Sequence, residues 1–360
     1  MKRLLAALAI CGFPIPALAD APGVVVSIKP IHSLVAAVMA GVGEPALLVQ
    51  GGQSEHTASL RPSDAEALAG ADLVVWVGPY LETFLAGPIE TLAENAEVVT
   101  LSEARGLTEL GFREGGAFEA HDHGDQSSHD DAHETHDEGH SAEAHADEEH
   151  GGADHHEHAE DHDHEDGHDH EDGHDHEESG HEGHDHGAVD MHLWLDPENA
   201  GIFVHEIAEA LSEVDPANAA TYAANAEATE QRIRDLDAEI GAAMAPLAGR
   251  PFIVFHDGYQ YFEQRYGVVA AGSVTISPEI LPGAARLAEI QEKVGELGVS
   301  CVFSEPQFQS RLIDVVAEGA NARVGVLDTL GSDIPDGPEL YFELMRRNAA
   351  AFAECLAPAG

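Results

Sequence analysis

Between Gly115 and Gly187 the chain is built almost entirely from histidine, acidic residues, glycine and alanine. The run from Asp161 to Glu178 reads DHDHEDGHDHEDGHDHEE. Apolar side chains are nearly absent, so this stretch cannot bury enough surface to offset the entropy of ordering its backbone. A fold must be made from what lies on either side, with residues 115–187 expected as a disordered, solvated insert. All but five of the 25 histidines fall inside it. Imidazole is the commonest transition-metal ligand and is largely neutral at about pH 7. The motif Glu-Asp-Gly-His-Asp-His occurs twice in succession from Glu165. Nothing in such a repeat fixes ligand geometry, so metal sites here are expected to be weak, multiple and exchangeable. An acidic solubilising spacer is the plainer alternative.

The formal net charge is −51. From Glu119 to Asp185 there are 27 acids and no lysine or arginine, which accounts for about half the excess. The remainder is still acidic, a balance that repels nucleic acid and anionic lipid and attracts cations. Residues 1–19 have the form of a cleavable signal peptide: Lys2 and Arg3, an apolar run to Phe13, then Ala17-Leu18-Ala19 before Asp20. The apolar run is too short to span a bilayer. Export is therefore expected, and cleavage would also remove Cys11. The remaining pair, Cys301 and Cys355, reads in an exported protein as a disulfide, with two buried thiols as the alternative.

On both sides of the insert, apolar β-branched runs alternate with helical patterns. Before it, strands are expected at Val24 to Ile28, Ala46 to Val49, Asp72 to Val77 and Val98 to Leu101. Helices are expected at Ile31 to Ala40, from the capping-box sequence Ser63-Asp64-Ala65-Glu66 onward, and at Glu82 to Ala93. After it, Met191 to Leu195 reads as strand or loop and Pro197 opens a helix. Ala217 to Leu247 is alanine-rich and charged, with no internal proline before Pro246, and predicts one long rigid helix. The last third offers strands at Phe252 to Phe255, Val268 to Ala270, Val299 to Phe303 and Val324 to Leu327. Its helices are Gln260 to Tyr266, Gly283 to Leu297, Arg311 to Glu318 with Gly319 as stop, and Pro338 to Leu356. Continuous apolar strands between helices predict parallel sheets covered on both faces. The expected α/β organisation is a first lobe at 20–215 carrying the insert, a linking helix at 216–248 and a second lobe at 249–360. A cleft between two lobes is where a ligand would sit.

Outside the insert the histidines are His32, His56, His192, His205 and His256. His56 lies in a loop before a helix, His192 opens His-Leu-Trp-Leu-Asp-Pro, and His256 ends Phe-Ile-Val-Phe. Strand ends are where open α/β sheets bind ligands. Three imidazoles and one oxygen would complete a tetrahedral zinc site. Each histidine taken alone reads as structural or solvated before it reads as a ligand, and placement at element ends beside the insert brings the two readings level. His205-Glu206 begins like H-E-x-x-H, but Glu209 stands at the second histidine position, so His205 reads as a solvated helix residue. His32 follows Pro30 at a helix start and reads as local structure. Neither a G-x-x-x-x-G-K-[ST] loop nor a G-x-S-x-G elbow occurs.

Ser27-Ile28-Lys29-Pro30, Ser54-Glu55-His56, Leu60-Arg61-Pro62-Ser63-Asp64, the segment from Asp72 to Pro79, Met191-His192-Leu193-Trp194-Leu195, Phe255-His256-Asp257, Pro278-Glu279-Ile280, Cys301-Val302-Phe303, Glu305-Pro306-Gln307-Phe308 and Leu327-Asp328-Thr329-Leu330-Gly331 together resemble the ZnuA-type periplasmic zinc-binding proteins of high-affinity zinc ABC transporters. The likeness runs from about Val25 to Leu356. It implies two lobes joined by a rigid helix, zinc as the transported ligand, and His56, His192 and His256 as ligands. The fourth position is Glu55, water or Asp328. It also implies the Cys301–Cys355 disulfide, a monomer, no catalysis, and a membrane permease with its ATPase as partners. A periplasmic metallochaperone is a further partner to consider. Manganese-binding relatives carry a carboxylate where this chain has His256, and a third imidazole favours zinc. The insert is then expected to act as a low-affinity collector or sensor. A zinc storage or chaperone protein is the competing reading, and a zinc hydrolase a more distant one.

Overall fold

The computed structural model describes residues 21–113, 118, 189–275, 282–308, 311–320 and 322–357. The signal-peptide segment, nearly all of the insert, and Pro278-Glu279-Ile280 lie outside these residues.

The first lobe holds β1 (Val24–Val26), α1 (Lys29–Val38), β2 (Ala46–Leu47), α2 (Pro62–Ala69), β3 (Leu73–Trp76), α3 (Ala86–Leu92) and β4 (Glu97–Thr100). All its strand pairs are parallel, in the order β2-β1-β3-β4. β1 and β3 are buried on both faces, which is why Val-Val-Val and Leu-Val-Val-Trp show no polar alternation. After the insert come α4 (Pro197–Val214) and the 26-residue α5 (Ala219–Met244), which at 1.5 Å per residue is about 39 Å long. The second lobe holds β5 (Phe252–His256), α6 (Gln260–Tyr266), β6 (Gly272–Thr275), α7 (Ala284–Glu296), β7 (Cys301–Ser304), α8 (Arg311–Ala320), β8 (Arg323–Val326) and α9 (Leu340–Leu356). Its parallel order, β6-β5-β7-β8, repeats that of the first lobe.

One apolar core runs through both lobes. It takes in Val26, Ile31 and Leu34 from the first, Phe203 and Leu236 from α4 and α5, and Phe252, Phe303 and Phe352 from the second. The outer face of each sheet has its own smaller core. Lys29 crosses between the lobes. Its buried Nζ donates to Ile334 O at 2.8 Å and Ser332 O at 3.4 Å, and lies 3.2 Å from Asp336 Oδ1. Cys301 of β7 and Cys355 of α9 are joined by a disulfide.

Several local expectations shift. The Ser63–Glu66 pattern does not cap α2: Arg61 is the N-cap, and the Asp64 carboxylate accepts its backbone N–H at 2.9 Å because Pro62 takes the first helical position. Glu82 does not begin a helix. Its carboxylate folds back to accept from Val77 N, Gly78 N and Ser27 Oγ, and burial raises its pKa to about 7. The strand expected at Val268 to Ala270 lies at Gly272–Thr275 instead. Val268 N closes the end of α6 on Glu263 O, beyond a left-handed Gly267, and Val269 is exposed. Gly319 does not stop α8, which continues to Ala320.

The chain leaves for the insert and returns from it at adjacent points. Gly111 and Val189 form an antiparallel bridge, and Asp190 N donates to Leu110 O at 2.8 Å. Tyr261 Oη donates to Asp190 O and accepts from Leu110 N. Arg113 pairs with Asp257 and Glu263 and lies 4.4 Å over the Phe118 ring.

Candidate metal centre

Three segments of the chain converge on one point. His56 sits in the loop from β2 to α2, His192 just ahead of the single 3-10 turn Leu193–Leu195 that leads into α4, and His256 at the carboxyl end of β5. His192 and His256 are buried and His56 partly so. One ring nitrogen from each lies within 4.8 Å of the other two. The Nε2 atoms of His192 and His256 are 3.3 Å apart. Two nitrogens bound to one tetrahedral zinc at 2.0–2.1 Å would stand about 3.3 Å apart, so this pair needs little rearrangement to share an ion. The ring centroids of His56 lie 5.4 Å from His192 and 5.8 Å from His256.

Carboxylates hold two of the rings from behind. Asp190 Oδ1 is 2.7 Å from His192 Nδ1 and also accepts His192 N, while its Oδ2 accepts from Gln260 Nε2 at 2.9 Å. Glu305 places both oxygens 2.7 and 2.8 Å from His256 Nδ1. When Nδ1–H donates to a carboxylate, Nε2 is the nitrogen left for the metal, and the ring orientation is fixed. Glu55 is buried beside the cluster, its Oε1 3.7 Å from His192 Nε2.

Charge inside the centre is strongly coupled. Burial disfavours the imidazolium of His192, yet Asp190 and Glu55 outweigh it and hold this ring up at about 10. His256 is raised as well, burial being overcome by Glu305. His56 goes the other way: burial and the neighbouring imidazoles press it down to about 4. Burial opposes ionisation of Glu55, but the His192 hydrogen bond and the three rings bring it down to about 2. The bracing carboxylates therefore favour positive charge at the centre, whether a proton or a cation.

The other oxygen candidate is engaged elsewhere. Asp328 accepts from Leu330 N at 2.9 Å, Ser332 N at 2.6 Å and Gln307 Nε2 at 2.8 Å, and like Glu55 it is not among the three residues whose ligand atoms converge. His32 is buried with Nε2 3.0 Å from Pro45 O, and His205 is exposed with Nε2 3.4 Å from Glu209. Sequence reasoning passed over Asp190, Glu305, Gln260 and Thr329. An aspartate two residues before His192 and a glutamate just beyond a strand end were the available signals; partners 49 and 70 positions apart leave none.

Among the described residues no helix is long and apolar enough to cross a membrane. The model of the family "Zinc-uptake complex component A periplasmic" matches residues 24–355. The chain is 49% identical over 361 residues to the high-affinity zinc uptake system protein ZnuA of Brucella abortus (strain 2308), covering 99% of each chain. It is 37% identical over 356 residues to the protein so named from Paracoccus denitrificans, covering 99% of this chain and 98% of that one. Among solved structures, the fold is similar to a ZnuA crystal structure, with a TM-score of 0.67 and 21% identity, covering 94% of this chain and all of that one. It is also similar to the periplasmic zinc-binding protein TroA from Treponema pallidum, with a TM-score of 0.69 and 17% identity over the same shares.

Proposed function

The chain belongs to the ZnuA family of periplasmic zinc-uptake components, and on that premise we propose that it captures zinc between its lobes and passes it to a membrane permease driven by an ATPase. His56, His192 and His256 supply three ligands and Glu55 the fourth. The observation that carries this reading is the 3.3 Å spacing of the His192 and His256 Nε2 atoms, with Asp190 and Glu305 bonded to the opposite nitrogens. The N-terminal segment is a cleaved signal peptide, and the mature protein works in the periplasm as a monomer.

Neutral imidazoles take the ion once their protons leave, and Glu55 adds one negative charge without attracting the hard cations that a carboxylate-rich site prefers. The continuous core and the Lys29 crossing limit how far the lobes part. Release therefore belongs to contact with the permease rather than to spontaneous opening. The insert, rooted at Gly111 and Val189 beside the Asp190 brace, acts as a low-affinity collector that raises zinc concentration near the cleft. Hand-over from a periplasmic metallochaperone is compatible with the same entry. A solute-binding role leaves no need for catalysis, and the buried ring cluster favours tight capture over storage or hydrolysis.

Calorimetric titration of zinc into mature protein with residues 115–187 replaced by a short linker tests this. One tight site is expected, lost when His56, His192 and His256 are changed to alanine. Tight binding that survives those changes, or that vanishes with the insert, overturns the cleft as the functional site.

A further inference from the structure

We infer that Thr329 is a positioning residue that aims the Glu55 carboxylate at the metal centre, an inference that rests on the reading of Glu55 as fourth ligand. Thr329 Oγ1 stands 3.0 Å from Glu55 Oε1, and both side chains are buried. A carboxylate only accepts, so the hydroxyl donates. Among the described residues no lysine or arginine pairs with Glu55, and its charged neighbours are the rings of the centre itself. The same Oε1 faces His192 Nε2 at 3.7 Å. One hydroxyl thus points a first-lobe carboxylate from the second lobe.

The backbone that carries the hydroxyl is itself held from several sides. Trp194 Nε1 donates to Thr329 O at 2.9 Å. The preceding residue is clamped by Asn348 of α9, whose side chain accepts Asp328 N at 3.0 Å and donates to Asp328 O at 2.7 Å. The Asp328 carboxylate fixes the following turn through Leu330 N and Ser332 N. Asp328 thereby acts on the centre through the turn that presents Thr329. Trp194 follows His192 by two residues, so the segment that positions one ligand also fixes the residue that aims another.

Zinc affinity of the full mature chain, measured by competition with a chromophoric chelator, tests this in Thr329→Val, Thr329→Ser, Glu55→Gln and the Thr329→Val/Glu55→Gln double variant. Removing an outer partner of a ligand weakens metal binding by about 10–100-fold, and Thr329→Val is expected in that range, with Thr329→Ser restoring affinity. With Gln at 55, Thr329→Val should add no further loss. If Glu55→Gln weakens binding while Thr329→Val does not, the aiming role is overturned and the ligand assignment stands. If Thr329→Val costs as much with Gln at 55 as with Glu, its effect is structural and the inference falls. Wild-type affinity in Glu55→Gln overturns the ligand assignment itself.

Discussion

At His192 and His256 the carboxylates that aim a buried ring at a metal also favour its protonated form. Asp190 and Glu55 outweigh burial and raise His192 to about 10, against about 6.5 for a free imidazole. That protonated ring contributes stability fully present below 6.5 and lost as pH rises through about 10. Zinc needs the neutral ring, so the ion must displace what the carboxylates hold. Binding near neutral pH is expected to release about one to two protons per zinc, and affinity should rise with pH. Titration calorimetry in buffers of different ionisation heat reads the proton count directly; a count of zero would mean that the rings are already neutral. Of this centre, the three histidines were legible in the sequence because each stands at or outside the end of an element amid turn-forming or polar residues. Their carboxylate braces were not, since a pairing such as His256 with Glu305 is made by two neighbouring strands and has no local period.

Elements were most legible where burial is symmetric. β1, β3 and β5 are apolar throughout because both faces are covered, and α5 shows its length by an unbroken run of helix formers. β6 was misplaced because its residues, Gly-Ser-Val-Thr, are less apolar than the loop Val268 to Ala270 before it, and backbone pairing to β5 decides the matter. The start of α2 was misread because Pro62 overrides a weak Ser63 signal. At this scale the Cys301–Cys355 bridge ties β7 to α9 across 54 residues. Replacing both cysteines by alanine is expected to lower stability by about 4 kcal/mol in urea unfolding, and a change below about 1 kcal/mol would mean that packing alone seats α9.

Across the whole molecule, the two lobes repeat one strand order and share a common core beside a smaller one on each outer face, so they are expected to unfold together. Lys29→Met removes the cation that joins α1 to the segment between β8 and α9 and leaves buried carbonyls without a donor. It is expected to cost about 1–3 kcal/mol while unfolding remains one transition. Two resolved transitions would show that the common core does not couple the lobes. The bridge at Gly111 and Val189 has a different kind of consequence. Because the chain is stitched shut there, the fold counts neither how many residues pass between those points nor what they are. Selection can lengthen, shorten or rewrite that passage at little risk to the rest. An engineer can use the same freedom: a fluorescent reporter spliced at this junction would ride beside the Asp190 brace and turn an uptake protein into a zinc gauge.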